Sequence, residues 1–245
     1  MIVKKRLLIL GGTTEAKELA ARAIEIANIE VISSLAGRTQ TAIPLSGTVR
    51  VGGFGGEVGL AHYLQEQSID LLIDATHPFA AQISWNAAAA ADRAAIPRLM
   101  LSRPAWKPES NWIEVESNEA AAKLLPDLAQ RVFLTIGRQE LAAFAHLQQL
   151  WFLMRMIDPP TGLIPPGEVL LARGPFTLEQ ERSWMQHYHI AAIVSKNSGG
   201  DATAAKLVAA RELDLPIVMV KRPAMPTGER VTDVKDALLW IARFV

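Results

Sequence analysis

The order of apolar and amphipathic segments in this 245-residue chain predicts an α/β protein with doubly wound parallel sheets. Runs that are apolar on both faces, such as Leu7-Leu8-Ile9-Leu10 and Leu71-Leu72-Ile73, suit strands of a parallel sheet covered by helices on both sides. Such runs are followed by alanine-rich amphipathic stretches, so strand and helix alternate. A segment of the first half also returns in the second. Ala95-Ile96-Pro97-Arg98-Leu99-Met100-Leu101-Ser102-Arg103-Pro104 is echoed 119 residues later by Asp214-Leu215-Pro216-Ile217-Val218-Met219-Val220-Lys221-Arg222-Pro223. A mixed α+β sheet is the alternative class.

Taken in order, Arg6 to Leu10 reads as the first strand, Thr14 to Glu25 as the first helix and Glu30 to Ser34 as the second strand. A third strand ends at Val51, Asp70 to Ala75 forms a fourth, and Ala80 to Ala95 is the helix that leads into the echoed strand. The second half repeats the plan. Val132 to Ile136 running into Gly137 matches Leu8 to Leu10 running into Gly11-Gly12, and Thr232 to Phe244 matches Ser117 to Leu128 as a closing helix. Pro104, Trp106, Pro108 and Asn111 interrupt the pattern between the halves, and Pro126 limits the helix that follows. The expected division is therefore a first domain over 1–112, a linker and crossover helix over 113–130, and a second domain over 131–245, the two facing a central cleft. Four prolines between Asp158 and Gly167 mark a loop there.

Composition bounds the function. Half of the residues are hydrophobic, so a substantial core is possible, and 25 basic against 25 acidic side chains leave no basic stripe for nucleic acid. Without cysteine there is no disulfide, thiolate nucleophile or thiolate metal site. The four apolar residues after Arg6 are too few for a signal peptide, and no stretch approaches the roughly 18 needed to cross a bilayer. A cytoplasmic protein is expected, and a monomer, since no helix shows an unpartnered apolar face.

The most informative local pattern is Leu10-Gly11-Gly12-Thr13-Thr14-Glu15-Ala16, directly between the first strand and first helix. Glycines let the backbone turn sharply and approach a pyrophosphate, while free amides and the positive helix end favour the anion. The first domain is thus expected to be a Rossmann-like nucleotide-binding unit, with Gly11, Gly12, Thr13, Thr14 and Glu15 at the corner. The spacing is not G-x-G-x-x-G, and a plain turn with Thr13 or Thr14 capping the helix has the same residues.

The second strand ends Ser33-Ser34-Leu35-Ala36-Gly37-Arg38, without the acidic residue that usually binds the ribose of NAD. Ser34 and Arg38, with Gly37 between them, suit a 2′-phosphate, so NADP(H) fits better than NADH, although a solvated surface arginine would look the same. After the third strand, Gly52-Gly53-Phe54-Gly55-Gly56 is either a backbone held close to a ligand, with Gly53 and Phe54 touching it, or a mobile loop. After the fourth, Asp74-Ala75-Thr76-His77-Pro78-Phe79-Ala80 lies at the carboxyl edge where open parallel sheets bind ligands. His77 could donate a proton or, with Thr76, Pro78 and Phe79, only hold cofactor, and Asp74 could cap the next helix.

The second half lacks an equivalent glycine corner and is expected to hold substrate. Arg138, Arg155, Arg173 and the run Ser195-Lys196-Asn197-Ser198 follow probable strands and bring cations or amide donors, which suit an anionic ligand. The remaining histidines show no metal-like pairing with acids, so no metal site is expected.

Together, LGGTTEA (10–16), GGFGG (52–56), DATHPFA (74–80), LTIGRQEL (134–141), RGPF (173–176), SKNSGG (195–200) and Arg222-Pro223 resemble the precorrin-6A reductases of cobalamin biosynthesis, the cobalt-precorrin-6A form included. The resemblance covers almost the whole chain. It implies NADPH-dependent reduction of a double bond near ring D of a partly methylated tetrapyrrole, giving precorrin-6B, with the substrate's many carboxylates meeting the cations of the second half. An NADH-dependent reductase of the cobalt-containing substrate shares the motifs. More remote readings are a two-domain nucleotide-sugar glycosyltransferase and a non-catalytic NADPH-binding sensor.

Overall fold

The computed structural model describes residues 4–37 and 46–245. It contains two parallel sheets of six strands each, in two compact units.

The first unit holds β1 (Lys5–Leu10), α1 (Thr14–Ala23), β2 (Ile29–Leu35), β3 (Thr48–Val51), α2 (Gly56–Glu66), β4 (Leu71–Asp74), α3 (Ala81–Ala94) and β5 (Arg98–Leu101). The strands alternate their side chains between two cores, as a period of two demands. Leu7, Ile9, Val31, Ile73 and Leu99 face the small residues Ala16, Ala20 and Ala23 of α1. Leu8, Leu10, Ile32 and Leu72 face α2 and α3 through Leu60, Leu64, Ala87 and Ala91. Alanine on the helices lets them lie close to the sheet, which is why the apolar runs and alanine-rich stretches read so clearly as strand and helix.

The second unit holds β6 (Trp112–Val115), α4 (Asn118–Leu128), β7 (Arg131–Leu134), β8 (Trp151–Met156), β9 (Gly167–Leu171), α5 (Leu178–His187), β10 (Ala192–Lys196), α6 (Ala205–Glu212) and β11 (Ile217–Val220). Its core gathers Phe133, Leu153, Ile193, Ile217 and Met219 against Met185 of α5 and Leu207, Ala209 and Ala210 of α6. The chain then ends in β12 (Glu229–Val231) and α7 (Val234–Ile241).

The sheet orders are β12-β5-β4-β1-β2-β3 and β6-β11-β10-β7-β8-β9. The two orders correspond position for position, β1 with β7, β4 with β10 and β5 with β11, in keeping with the internal echo. The sixth strands correct the expected boundaries. β6 and α4, expected as a linker and crossover helix over 113–130, form the edge of the second sheet beside β11. β12 and α7, expected to close the second domain, join the first, with β12 beside β5 and Val234, Ala237, Trp240 and Ile241 in its core. The first unit is therefore the chain up to Pro104 plus Pro223–Val245, and the second is Ala105–Arg222, rather than 1–112 and 131–245. Both closing helices start at a side-chain cap, Ser117 for α4 and Asp233 for α7, so local chemistry makes either segment fit either edge.

Candidate functional site

The carboxyl ends of β1, β2 and β4 bring the first unit's polar residues together, because the parallel register sets Leu10 beside Ser34 on one side and Asp74 on the other. The turn after β1 is fixed at three points. The Gly11 N–H donates to Ser34 O at 2.9 Å, and the Ala75 N–H donates to Leu10 O at 2.9 Å. Thr13 is the N-cap of α1: its Oγ1 accepts from the Ala16 N–H at 3.1 Å and donates to Ala75 O at 2.8 Å. Gly12 sits between them at φ +115°, and a Cβ placed there would meet no atom within 4 Å. A left-handed backbone with open space above it, at the amino end of a capped helix, fits a pyrophosphate. Gly12 and Thr14 are exposed, and Glu15 is held by Arg103 at 3.0 Å.

Ser34 is buried at the end of β2, and its Oγ lies 3.4 Å from Nη1 of Arg50 on β3. Gly37 adopts φ +71°. Arg38 lies outside the described residues. The glycine-rich loop after β3 is tied down. Arg50 donates to Gly52 O at 2.6 Å and Gly53 O at 2.7 Å, and its guanidinium stacks on the Phe54 ring at 3.8 Å. Phe54 in turn meets Tyr63 of α2 edge-on at 5.2 Å. A Cβ at Gly59 would overlap the Phe54 carbonyl, so glycine there lets α2 accept the loop at close quarters. The loop is thus tied to β3 and α2 by contacts within the protein.

Asp74 is 1% exposed and caps no helix: the N-cap of α3 is Ala80. Its Oδ1 accepts from the Thr76 N–H at 3.1 Å and from the Thr76 hydroxyl at 2.6 Å, while Oδ2 has no partner among the described residues. His77 accepts the Phe79 N–H on Nδ1 at 3.2 Å, which assigns the neutral ring its proton on Nε2. Its carbonyl accepts from the Ala80 N–H at 2.7 Å, and Pro78 is buried beneath this turn. The ring of Phe79 lies 5.9 Å from that of His77.

In the second unit, three expected substrate residues turn out to be engaged inside the fold. Arg155 is buried, pairs with Glu181 and packs over Phe176 at 4.0 Å. Asn197 clamps the backbone of Trp106, accepting from its N–H at 2.8 Å and donating to its carbonyl at 3.1 Å. Ser195 is fully buried in β10. For Arg155 and Asn197 the cause is the same: a polar side chain with a good internal partner gains more from it than from solvent. Arg138 remains partly exposed, with Nη1 3.3 Å from Pro159 O, and Arg173 is exposed. Lys196 pairs with Glu140 at 2.9 Å, and Glu140 also accepts from Asn118. Ser198 lends its carbonyl to Arg222 at 2.9 Å. The sequence reading passes over Arg50, Arg103, Glu140 and Glu181. Arg50 has a visible signal, as the one charged residue in the strand Thr48–Val51.

Among the described residues no group of three or more His, Asp or Glu side chains is placed to hold a metal ion, and no helix is long and apolar enough to cross a membrane.

Comparison with known proteins identifies the family. A precorrin-6A reductase from Rhodococcus erythropolis is 50% identical over 240 residues, covering 96% of this chain and 97% of the relative. A cobalt-precorrin-6A reductase from Priestia megaterium is 29% identical over 238 residues, covering 91% and 92%. The solved structure of a CobK precorrin-6A reductase matches with a TM-score of 0.91 at 39% identity, covering 98% of this chain and 96% of that one. The family described as precorrin-6x reductase CbiJ/CobK matches residues 6–242, and the chain belongs to that family.

Proposed function

We propose that this reductase converts precorrin-6A to precorrin-6B in cobalamin biosynthesis, using NADPH. The observation that carries the cofactor assignment is the turn at Gly11-Gly12-Thr13, whose open left-handed glycine and capped helix fit a nucleotide pyrophosphate. The substrate follows from the family, and 50% identity to a precorrin-6A reductase against 29% to a cobalt-precorrin-6A reductase favours the metal-free form.

Bound NADPH would supply two electrons as hydride to one C=C bond of the tetrapyrrole, and the reaction takes up one proton. The chain's part is to bind, orient and manage that proton. Gly12, Thr13 and Thr14 present amides, and Thr14 a hydroxyl, to the pyrophosphate, while Gly11 fixes the turn through its N–H to Ser34 O and Glu15 is held back by Arg103. Ser34, Gly37, Gly53 and Phe54 border the adenosine end, with Arg38 still a candidate there. Thr76, His77, Pro78 and Phe79 form the turn that receives the nicotinamide end. His77 carries its proton on Nε2, where it can be given to the reduced macrocycle. Arg138, Arg173, Lys196 and Ser198 hold substrate carboxylates. The protein works as a cytoplasmic monomer without a metal.

The test is direct titration with NADPH and NADH followed by anaerobic addition of precorrin-6A with absorbance recorded. Tight NADPH binding and oxidation of one equivalent per precorrin-6A support the reading. NADPH that binds but is never oxidised would make the protein a sensor, and absence of binding would leave the glycine corner a mere turn.

A further inference from the structure

The carboxyl end of β2 is where a doubly wound nucleotide fold meets the ribose of the adenosine, and the groups standing there decide whether a hydroxyl or a phosphate is welcome. The acidic residue of β2, Glu30, is remote from that end: it lies in the second position of the strand and pairs with Arg6 at 3.0 Å. What stands at the end is Ser34, and its register partner on β3 is Arg50. Neighbouring parallel strands in register point their side chains to the same face, so the Ser34 hydroxyl and the Arg50 guanidinium share one edge of the sheet.

Arg50 is pre-set. Two carbonyls, Gly52 O and Gly53 O, and the ring of Phe54 fix its plane, so little rotamer freedom is left to lose on binding an anion. These bonds and the contact to Ser34 use both Nη1 hydrogens and one on Nη2, leaving Nε–H and the second Nη2 hydrogen without a partner among the described residues. Nor does any described carboxylate neutralise it, whereas Arg6 and Arg103 of the same unit pair with Glu30 and Glu15. A held, uncompensated guanidinium beside a hydroxyl is the chemistry that binds a phosphate dianion.

We infer that Arg50, with Ser34, binds the 2′-phosphate of NADPH and selects it over NADH. The inference rests on the nucleotide site proposed above. Arg50 also organises the glycine loop, so its removal alone would confound charge with scaffold. The measurement must therefore be a ratio. Calorimetric titration of the full chain with 2′,5′-ADP and with 5′-ADP isolates the phosphate, with no substrate or turnover needed.

The wild type is expected to prefer 2′,5′-ADP. Arg50→Ala is expected to weaken 2′,5′-ADP by about 10–100-fold, the range for a charge-assisted contact, while 5′-ADP changes by less than about threefold. Arg50→Lys keeps the charge without the fork and is expected to retain part of the preference, which a folding defect would not produce. Equal weakening of both ligands by Arg50→Ala, or a preference that survives it, overturns the inference and leaves the nucleotide site standing. A wild type that binds NADPH and NADH equally also overturns it. Binding of neither ligand to the wild type overturns the nucleotide site itself.

Discussion

Arg155 and Glu181 form a 2.8 Å ion pair with side chains 6% and 0% exposed, walled by Phe133, Phe176 and Trp184. Arg155 is in β8 and Glu181 in α5, so the pair joins sheet to helix in the second unit. Removing either partner leaves a buried charge alone, which costs far more than the intact pair contributes.

Arg155→Ala and Glu181→Ala are each expected to lower unfolding stability by about 3–5 kcal/mol in urea titrations. Exchanging both for apolar residues, as in Arg155→Met with Glu181→Leu, is expected to lose less than either single change. If Arg155→Ala unfolds like the wild type and only raises the KM for substrate, Arg155 meets carboxylates after all and the pair is incidental.

That pair also shows what a sequence conceals. A cation after a strand looks the same whether its partner is a ligand or a glutamate 26 residues away, and only the fold brings Glu181 to Arg155. The glycine corner is legible because its demands are local: left-handed Gly12 and the cap at Thr13 are written within four residues. The two sheets are legible because apolar runs and alanine-rich helices follow local periodicity. Which edge a sixth strand joins is not local. Trp112–Val115 and Glu229–Val231 both precede capped helices of similar amphipathic character, so the boundary read from pattern makes β6 and α4 a linker and places β12 and α7 with the second domain.

Thr13 joins the cap of α1 to the end of β4 through one oxygen. Thr13→Val keeps the shape but loses both bonds, and is expected to cost about 1–2 kcal/mol and to weaken NADPH binding. Thr13→Ser should restore most of both. Restored stability without restored binding would detach the cap from the cofactor.

Gly59→Ala places a methyl against the Phe54 carbonyl, where backbone must move. Since Phe54 carries Arg50, the change is expected to disturb the adenosine end more than the pyrophosphate corner. NADPH affinity should fall by about tenfold beyond any stability loss, if an off-position contact of about 1.4 kcal/mol is forfeited. Unchanged affinity would show that the loop does not touch cofactor.

Glu30 and Arg6 offer a pH test. The hydrogen bond from Arg6 holds the Glu30 carboxyl below the usual carboxylate range, against the opposing effect of burial. A carboxyl with a depressed folded value contributes stability above its unfolded value and loses it as pH falls through the folded one. The Arg6 and Glu30 side chains are 31% and 40% exposed, so solvent screening limits the contribution to less than about 1 kcal/mol. Glu30→Gln is expected to lower stability slightly at neutral pH and to flatten the acid side of the stability curve. A curve that keeps its acid slope would assign that slope to other carboxyls.

The proton role proposed for His77 is open to direct test. Its Nδ1 accepts from the Phe79 N–H, so the turn itself assigns the neutral ring its proton on Nε2. As a proton donor, His77 should contribute about 100-fold to turnover, the lower end for a positioned acid. His77→Ala is then expected to lower kcat by that factor, with the NADPH dissociation constant nearly unchanged. His77→Asn keeps a polar side chain in the turn without a titrating group, and should be as slow as alanine. If both variants turn over at the wild-type rate, the macrocycle takes its proton from water or arrives already protonated, and His77 does no more than shape its turn.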